Sequence, residues 1–243
     1  MGNHASSGDT IGAIALLGLA LVMWGAIAGL AVANRRRVRP WTYQATAGLI
    51  VVGLVGQVGH VQEHVAQVGY WVGHPDAPGW MTPWGSSLAR GFGRVDTTKP
   101  SLGMEILHLT GNLVFLAGLV AAMLITRRAR ATRARRWARM GTWMQGLHGL
   151  EHLSLTLSVA LGAPRAVGVS TWFGVMHPGP GLWTYRIWWH FIANVVGTVI
   201  FATAAWHLWK ERRLIAASFP EPTPPPLHAA APAPFPTGVT APR

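Results

Sequence analysis

The sequence contains no cysteine, and only 8 of its 243 residues are acidic. The absence of cysteine excludes both a disulfide framework and a metal site built from thiolates. Because carboxylates are so scarce, the position of each Asp and Glu carries information about function. Half of the residues are hydrophobic and only 12% are charged, which favours a membrane protein over a soluble enzyme.

The basic residues lie at the ends of the hydrophobic runs and are concentrated in residues 35–39, 127–139 and 210–213. This placement is typical of topology signals, and it argues against nucleic acid as a partner. It predicts an external N-terminus and a cytoplasmic C-terminus. The excess of Arg over Lys, together with abundant Ala, Gly, Pro and Trp, indicates a bacterial cytoplasmic membrane protein.

Five hydrophobic runs are long enough to cross the lipid bilayer once each. They are residues 11–33, 43–68, 102–126, 140–161 and 185–209. Residues 72–101 and 163–184 are expected to form external loops. We therefore predict an all-α integral membrane protein with four parts: an external N-terminus and first helix (1–40), a two-helix unit (41–126), a basic connection with a second two-helix unit (127–213), and a disordered Pro- and Ala-rich tail (214–243).

Two of these runs carry the same polar motif, Q-x-x-H-x-x-E-H. The first copy runs from Gln57 to His64, and the second runs from Gln145 to His152. At about 100° per helical residue, the four polar side chains of each copy fall within an arc of about 120°. A polar stripe on a helix of lipid-spanning length is expected to face the interior of the protein.

Each motif is followed, one hydrophobic run later, by the pattern H-x-x-x-N. The two instances are His108 with Asn112 and His190 with Asn194. This ordered recurrence predicts an internal duplication, in which four helices form a pseudo-symmetric bundle of two tandem two-helix repeats.

The polar side chains on these helices are suited to hold a metal. A carboxylate in the bilayer interior costs roughly 3 kcal/mol on insertion scales, and a divalent ion would compensate for such groups. The predicted metal ligands are His60, His64, His108, His148, His152, His190 and Glu105. Glu105 has no counterpart in the second unit, where Ile187 occupies its position. Glu63 and Glu151 are predicted to act as catalytic acid or base, and the residues predicted to orient ligands or hold water at the cofactor are Gln57, Gln145, Asn112 and Asn194.

Histidine outnumbers carboxylate in this set, which favours copper or a histidine-rich iron site, with zinc the less favoured metal. The sequence therefore predicts a redox-active membrane oxidoreductase whose small-molecule substrate arrives from the lipid or from the external face. A b-type haem protein with axial histidines is one alternative. A non-enzymatic metal carrier and a metal-free network that handles protons are the others.

Overall fold

The computed structural model describes residues 5–219 except 37, 38, 76, 78 and 130, and within these residues it contains helices and no strand. The helices are α1 (Ser7–Arg36), α2 (Pro40–Gly73), α3 (Pro83–Gly93), α4 (Leu102–Ile125), α5 (Arg133–Ala160), α6 (Pro180–Lys210) and α7 (Arg212–Ala217). A 3-10 segment, Val169–Gly174, lies between α5 and α6. The predicted all-α class is confirmed.

Four of the helices, α1, α2, α4 and α6, are long and apolar enough to cross a membrane. The predicted fifth span corresponds to α5, which is not among these four. Helix α5 has 28 residues, but an arginine-rich first part and a polar stripe lower its hydropathy. The chain is thus an all-helical protein with four candidate membrane spans among the described residues.

Helices α2, α4, α5 and α6 form a bundle in which α4 and α6 each pack against both α2 and α5. Helices α4 and α6 contact each other little, so they lie across the diagonal of the bundle. Helix α1 lies outside it, against α3 and α4. Small residues allow the closest crossing: a Cβ on Gly53 of α2 would lie 2.5 Å from the Cα of Gly118 on α4.

The bundle has an apolar end and a polar end. At the apolar end, the rings of Phe115 and Phe201 stack with centroids 5.4 Å apart, beside buried Leu119 and Ala204. At the other end, buried histidine, glutamine, asparagine and glutamate side chains face the bundle interior. The core therefore changes from hydrocarbon to polar groups along the length of the same four helices.

Helix α3 lies within the segment that we predicted as a loop. Thr82 caps its N-terminus by accepting a hydrogen bond from the Gly85 amide, and Pro83 occupies the first helical position. Both are recognised helix-start signals. The sequence therefore contained the signal for α3, and residues 83–93 of the predicted external loop (72–101) are helical.

The helical part of the chain also extends past the predicted boundary at residue 213. Helix α7 ends at Ala217, and Ile215 and Phe219 are buried in the core. The Phe219 ring contacts Tyr43 with centroids 5.6 Å apart, so apolar packing at the end of the bundle orders this segment. The remainder of the predicted disordered tail, residues 220–243, lies outside the described residues.

Candidate metal centre

Six histidines from four helices meet at the polar end of the bundle. Neighbouring rings have centroids 4.7 to 6.1 Å apart, and two pairs stack within 10° of parallel. We call this group the histidine cluster; its members are His60, His64, His108, His148, His152 and His190. The structure thus brings together all six of the histidines that the sequence predicted as ligands.

The tightest part of the cluster is formed by His60, His64 and His108, whose candidate ligand atoms all lie within 4.8 Å of one another. The Nε2 atoms of His60 and His64 are 3.1 Å apart. Two nitrogens bound to one ion at about 2.0–2.1 Å would be about 2.9 Å apart at a right angle and about 3.4 Å apart at a tetrahedral angle. The observed spacing lies between these values; it suits two ligands of a single ion and equally suits a hydrogen bond between the two rings.

Backbone carbonyls orient two of the rings. His108 Nδ1 lies 2.8 Å from the carbonyl oxygen of Met104, and His190 Nδ1 lies 2.7 Å from that of Arg186. Because a carbonyl oxygen only accepts hydrogen bonds, each Nδ1 must carry the proton and donate it. In the neutral ring Nε2 then keeps its lone pair, which is the usual arrangement of a metal-binding histidine.

Side chains orient two further rings. His64 Nδ1 lies 3.0 Å from Gln67 Oε1, and Gln67 Nε2 donates to Glu63 at 3.2 Å. His148 Nδ1 lies 3.6 Å from the carboxylate of Glu151. Gln67 was missed from the sequence, although its position three residues after His64 places it on the same helix face.

Several buried ring nitrogens of the cluster have no hydrogen-bond partner among the described residues. They are His60 Nδ1, His148 Nε2, His190 Nε2 and both nitrogens of His152. A buried polar atom without a partner costs roughly 1–3 kcal/mol, so native structures contain few of them. These nitrogens are concentrated at one point, where a metal ion could bind them.

The carboxylates of Glu63 and Glu151 both hold the backbone of a following segment. Glu63 accepts hydrogen bonds from the Thr82 amide (2.9 Å) and the Thr82 hydroxyl, while Glu151 accepts from the Ser170 amide (2.8 Å). In both cases carboxylate and amide are 19 residues apart in sequence. Trp189 Nε1 also donates to Glu151 at 3.0 Å. These contacts anchor connecting segments beside the cluster, and the catalytic role of the two carboxylates stays a prediction.

Glu105 forms an ion pair with Arg186, with 2.9 Å between Oε1 and Nη2. Both side chains are largely buried, at 1% and 13% exposure. Arg186 was not predicted as a site residue because its charge was read as a topology signal. Arg186 lies four residues before His190, and this spacing places both on the same face of α6. Glu105 is thus paired with a cation, and its role as a metal ligand stays a prediction.

The predicted orienting amides form a layer between the cluster and the stacked phenylalanines. Gln57 donates to Asn194 Oδ1 at 3.2 Å, and Gln145 donates to Asn112 Oδ1. Each Asn in turn donates to the carbonyl oxygen of the histidine four residues before it, at 2.8 and 2.9 Å. The four amides therefore tie neighbouring helices together directly below the histidines.

A cavity of about 110 Å³ lies beside the cluster, and its wall includes His64, His108 and His190. Aromatic and aliphatic side chains form most of the remaining wall, together with Arg186. A small molecule in this cavity would contact His64 and His108 from the first two-helix unit and His190 from the second.

These features define an all-helical protein with candidate membrane spans and a buried cluster of histidines suited to bind metal. The chain belongs to the family described as "Family of unknown function (DUF6008)", which matches residues 1–234. No curated protein and no solved structure matches the chain.

Proposed function

We propose that this protein is a membrane oxidoreductase with iron or copper bound by the histidine cluster. The observation that carries the proposal is the set of His60, His64 and His108, whose ligand atoms lie within 4.8 Å of one another. Neutral imidazole ligands suit copper and iron, and three protein ligands leave a coordination position open for a substrate.

The three other histidines of the cluster, His148, His152 and His190, repeat the ring spacing of the first set, and the proposal includes a second ion there. The rings of His148 and His152 are 4.7 Å apart, compared with 4.8 Å for His60 and His64. His190 lies 5.9 Å from His148, compared with 6.1 Å between His108 and His60. Two sets of three histidines would thus hold two adjacent ions, an arrangement that lets both act on one bound molecule.

The proposal includes the internal duplication predicted from the motifs. Each Gln of the two Q-x-x-H-x-x-E-H motifs donates to the Asn of the opposite unit, and each motif Glu accepts from an amide 19 residues later. Chance similarity of composition would not reproduce matching hydrogen bonds at matching spacings. The shared pattern supports two related units around one common site.

The proposal also includes α5 as a fifth membrane span. The side chains that α5 exposes on its outer surface include Trp143, Leu147, Leu150 and Leu157. An aqueous surface would carry charge at these positions, whereas lipid favours apolar groups. The polar residues that lower the hydropathy of α5, such as Gln145 and His152, are buried inside the bundle.

The alternative functions have less support. A haem needs a slot for its macrocycle between the axial ligands, whereas the histidine rings are in mutual contact and the adjoining cavity is only about 110 Å³. A transporter needs a polar route through the protein, whereas Phe115 and Phe201 stack across the bundle below the amides. A metal-free proton network would require partners for the ring nitrogens that lack them.

Elemental analysis of detergent-purified protein tests the proposal. After expression with iron and copper supplied, the wild type should contain two ions of iron or copper per chain. His60→Ala and His148→Ala should each lose about one, because an ion with two remaining protein ligands is bound far more weakly.

His207→Ala is the matched control, because His207 lies near the opposite end of α6. It should retain the wild-type metal content. A metal-free wild type would contradict the proposal, and one ion lost completely in both variants would show a single shared ion in place of two.

A further inference from the structure

We propose that the cavity beside the histidine cluster binds a small organic acid, with a carboxylate on an apolar body no larger than about one ring. This inference rests on the proposed function and extends it, because it names the class of substrate that would reach the metal centre. Three walls of the cavity and the route to it support the assignment.

The polar wall is Arg186. A guanidinium has five N–H donors in a planar fork that matches the geometry of a carboxylate. One nitrogen of Arg186 donates to Glu105, and no second side-chain hydrogen bond from this guanidinium is found among the described residues. Glu105 balances the charge of Arg186, but the remaining N–H groups of the guanidinium can donate, and at 13% exposure their hydrogen bonds to a ligand would be little weakened by water.

The apolar wall includes Trp80, Trp183 and Ile187. The Trp183 ring lies against the backbone of Gly79, where a Cβ would be 2.7 Å from the ring. The volume of about 110 Å³ is of the same order as the engineered cavity of about 150 Å³ that binds benzene. Because this volume is the smaller of the two, a single ring is the upper limit for the body of the ligand, and a short aliphatic chain is within it.

The third wall consists of His64, His108 and His190. The hydrogen bonds of their Nδ1 atoms leave Nε2 of each ring able to bind metal. An acid whose carboxylate contacts Arg186 would therefore be held beside the ligands of the proposed ions.

Met104 contributes to the wall of this cavity and also to the wall of a larger cleft of about 620 Å³. The unbranched Met side chain is flexible, and its rotation would join the two spaces. Arg90 and Arg94 line the outer cleft, where Arg90 pairs with Asp9 and Arg94 donates to the neutral Thr10 hydroxyl. The cleft also contains Asp96, which pairs with Lys99. Of these described cations, Arg94 is therefore the one without a carboxylate partner. This charge favours the approach of an anion.

The two proposed repeats differ at this cavity. Met104 and Arg186 occupy equivalent positions, each four residues before the histidine of H-x-x-x-N. One repeat thus supplies the cation and the other supplies the movable side chain between cavity and cleft. The difference between these two positions gives the cavity a single guanidinium, on one side, that can bind the carboxylate of an acid.

Equilibrium dialysis of the full-length, detergent-purified protein against radiolabelled benzoate tests the inference. The wild type should bind one benzoate per chain. Met104→Trp, which fills the space, and the double variant Arg186→Gln/Glu105→Gln, which removes both charges, should each weaken binding at least about 10-fold. Benzyl alcohol, a neutral molecule of similar size, should bind the wild type at least about 10-fold more weakly than benzoate.

Met144→Trp is the control, since Met144 lies on the outer surface of α5. It should bind benzoate as the wild type does, and both it and Met104→Trp should keep the wild-type metal content. Absence of saturable benzoate binding, unchanged affinity in both cavity variants, or equal affinity for benzyl alcohol would each overturn the inference. Benzoate binding by a protein without metal would support the acid site and contradict only the proposed metal centre.

Discussion

At the scale of single residues, the orientation of each imidazole is determined by what its Nδ1 contacts. For His108 and His190 the partner is the backbone carbonyl one helical turn earlier, which any residue at that position supplies. His64 instead depends on the side chain of Gln67. The ring of His64 is therefore the more sensitive to a substitution outside the cluster.

Gln67→Leu should weaken metal binding about 10- to 100-fold, because His64 loses the partner that fixes its ring and its tautomer. Leucine occupies the equivalent position in the second unit, at Leu155, so the helix tolerates this side chain. Affinity can be measured by competition with a chelator of known affinity. Gln44→Leu, at an exposed position on the same helix, is the control and should leave affinity unchanged. Equal affinity in the Gln67 variant would show that Gln67 does not orient a ligand.

Glu63→Ala should destabilise the start of α3 by about 1–3 kcal/mol, since the buried Thr82 amide loses its acceptor. Hydrogen exchange of the amides in residues 82–93 should accelerate accordingly. Glu211→Ala is a matched control, because Glu211 accepts from the Arg133 and Ala134 amides at the start of α5. It should accelerate exchange there and not in α3. Unchanged α3 exchange in Glu63→Ala would contradict the anchoring role.

At the scale of elements, close helix contact depends on glycines at crossing points and not on glycine content as such. Helix α2 contains both kinds of glycine. Gly53 meets the backbone of α4, whereas a Cβ on Gly48 would have no atom within 4 Å. Substitutions at Gly53 and Gly48 therefore distinguish the effect of helix packing from the effect of helix propensity within one helix.

Gly53→Ala should destabilise the protein by about 1–3 kcal/mol, because the added methyl group forces α2 and α4 apart. Gly48→Ala should be neutral or slightly stabilising, since alanine favours helix more than glycine does. Thermal unfolding of the purified proteins, followed by tryptophan fluorescence, compares the two. A Gly53 variant as stable as Gly48→Ala would show that the crossing is looser than the structure indicates.

At the scale of the whole molecule, the distribution of basic residues predicts the orientation in the membrane. The basic segment after α4, residues 127–129 and 131–139, lies near the end of the bundle away from the histidine cluster. The proposed five-span topology puts this end in the cytoplasm and the cluster near the external surface.

Because the chain contains no cysteine, single introduced cysteines can test this orientation directly. Val175→Cys, at a highly exposed position near the cluster, should react with a membrane-impermeant reagent added outside intact cells. Arg128→Cys should react only after the membrane is opened. The reverse pattern would contradict the predicted orientation, and external labelling of both would contradict the number of spans between them.

The sequence by itself determined the five long helices and the faces on which their polar groups lie. The spacing within Q-x-x-H-x-x-E-H places four side chains on one stripe because the angle between helical residues is constant. Hydrophobic length similarly indicated the membrane-spanning runs, since a bilayer has a known thickness. Local geometry was enough for these conclusions. It was also enough to predict α3, because Thr82 and Pro83 form a helix-start signal.

Only the tertiary structure decided which groups on different elements became partners. Glu105 pairs with Arg186, 81 residues away, and Glu63 holds the Thr82 backbone. These pairings depend on how far each helix is rotated and shifted along its neighbour, which side-chain packing across the interface sets. Periodicity within one helix contains no information about that rotation or shift, so it could not predict that Glu105 pairs with an arginine or that Glu63 accepts from a backbone amide.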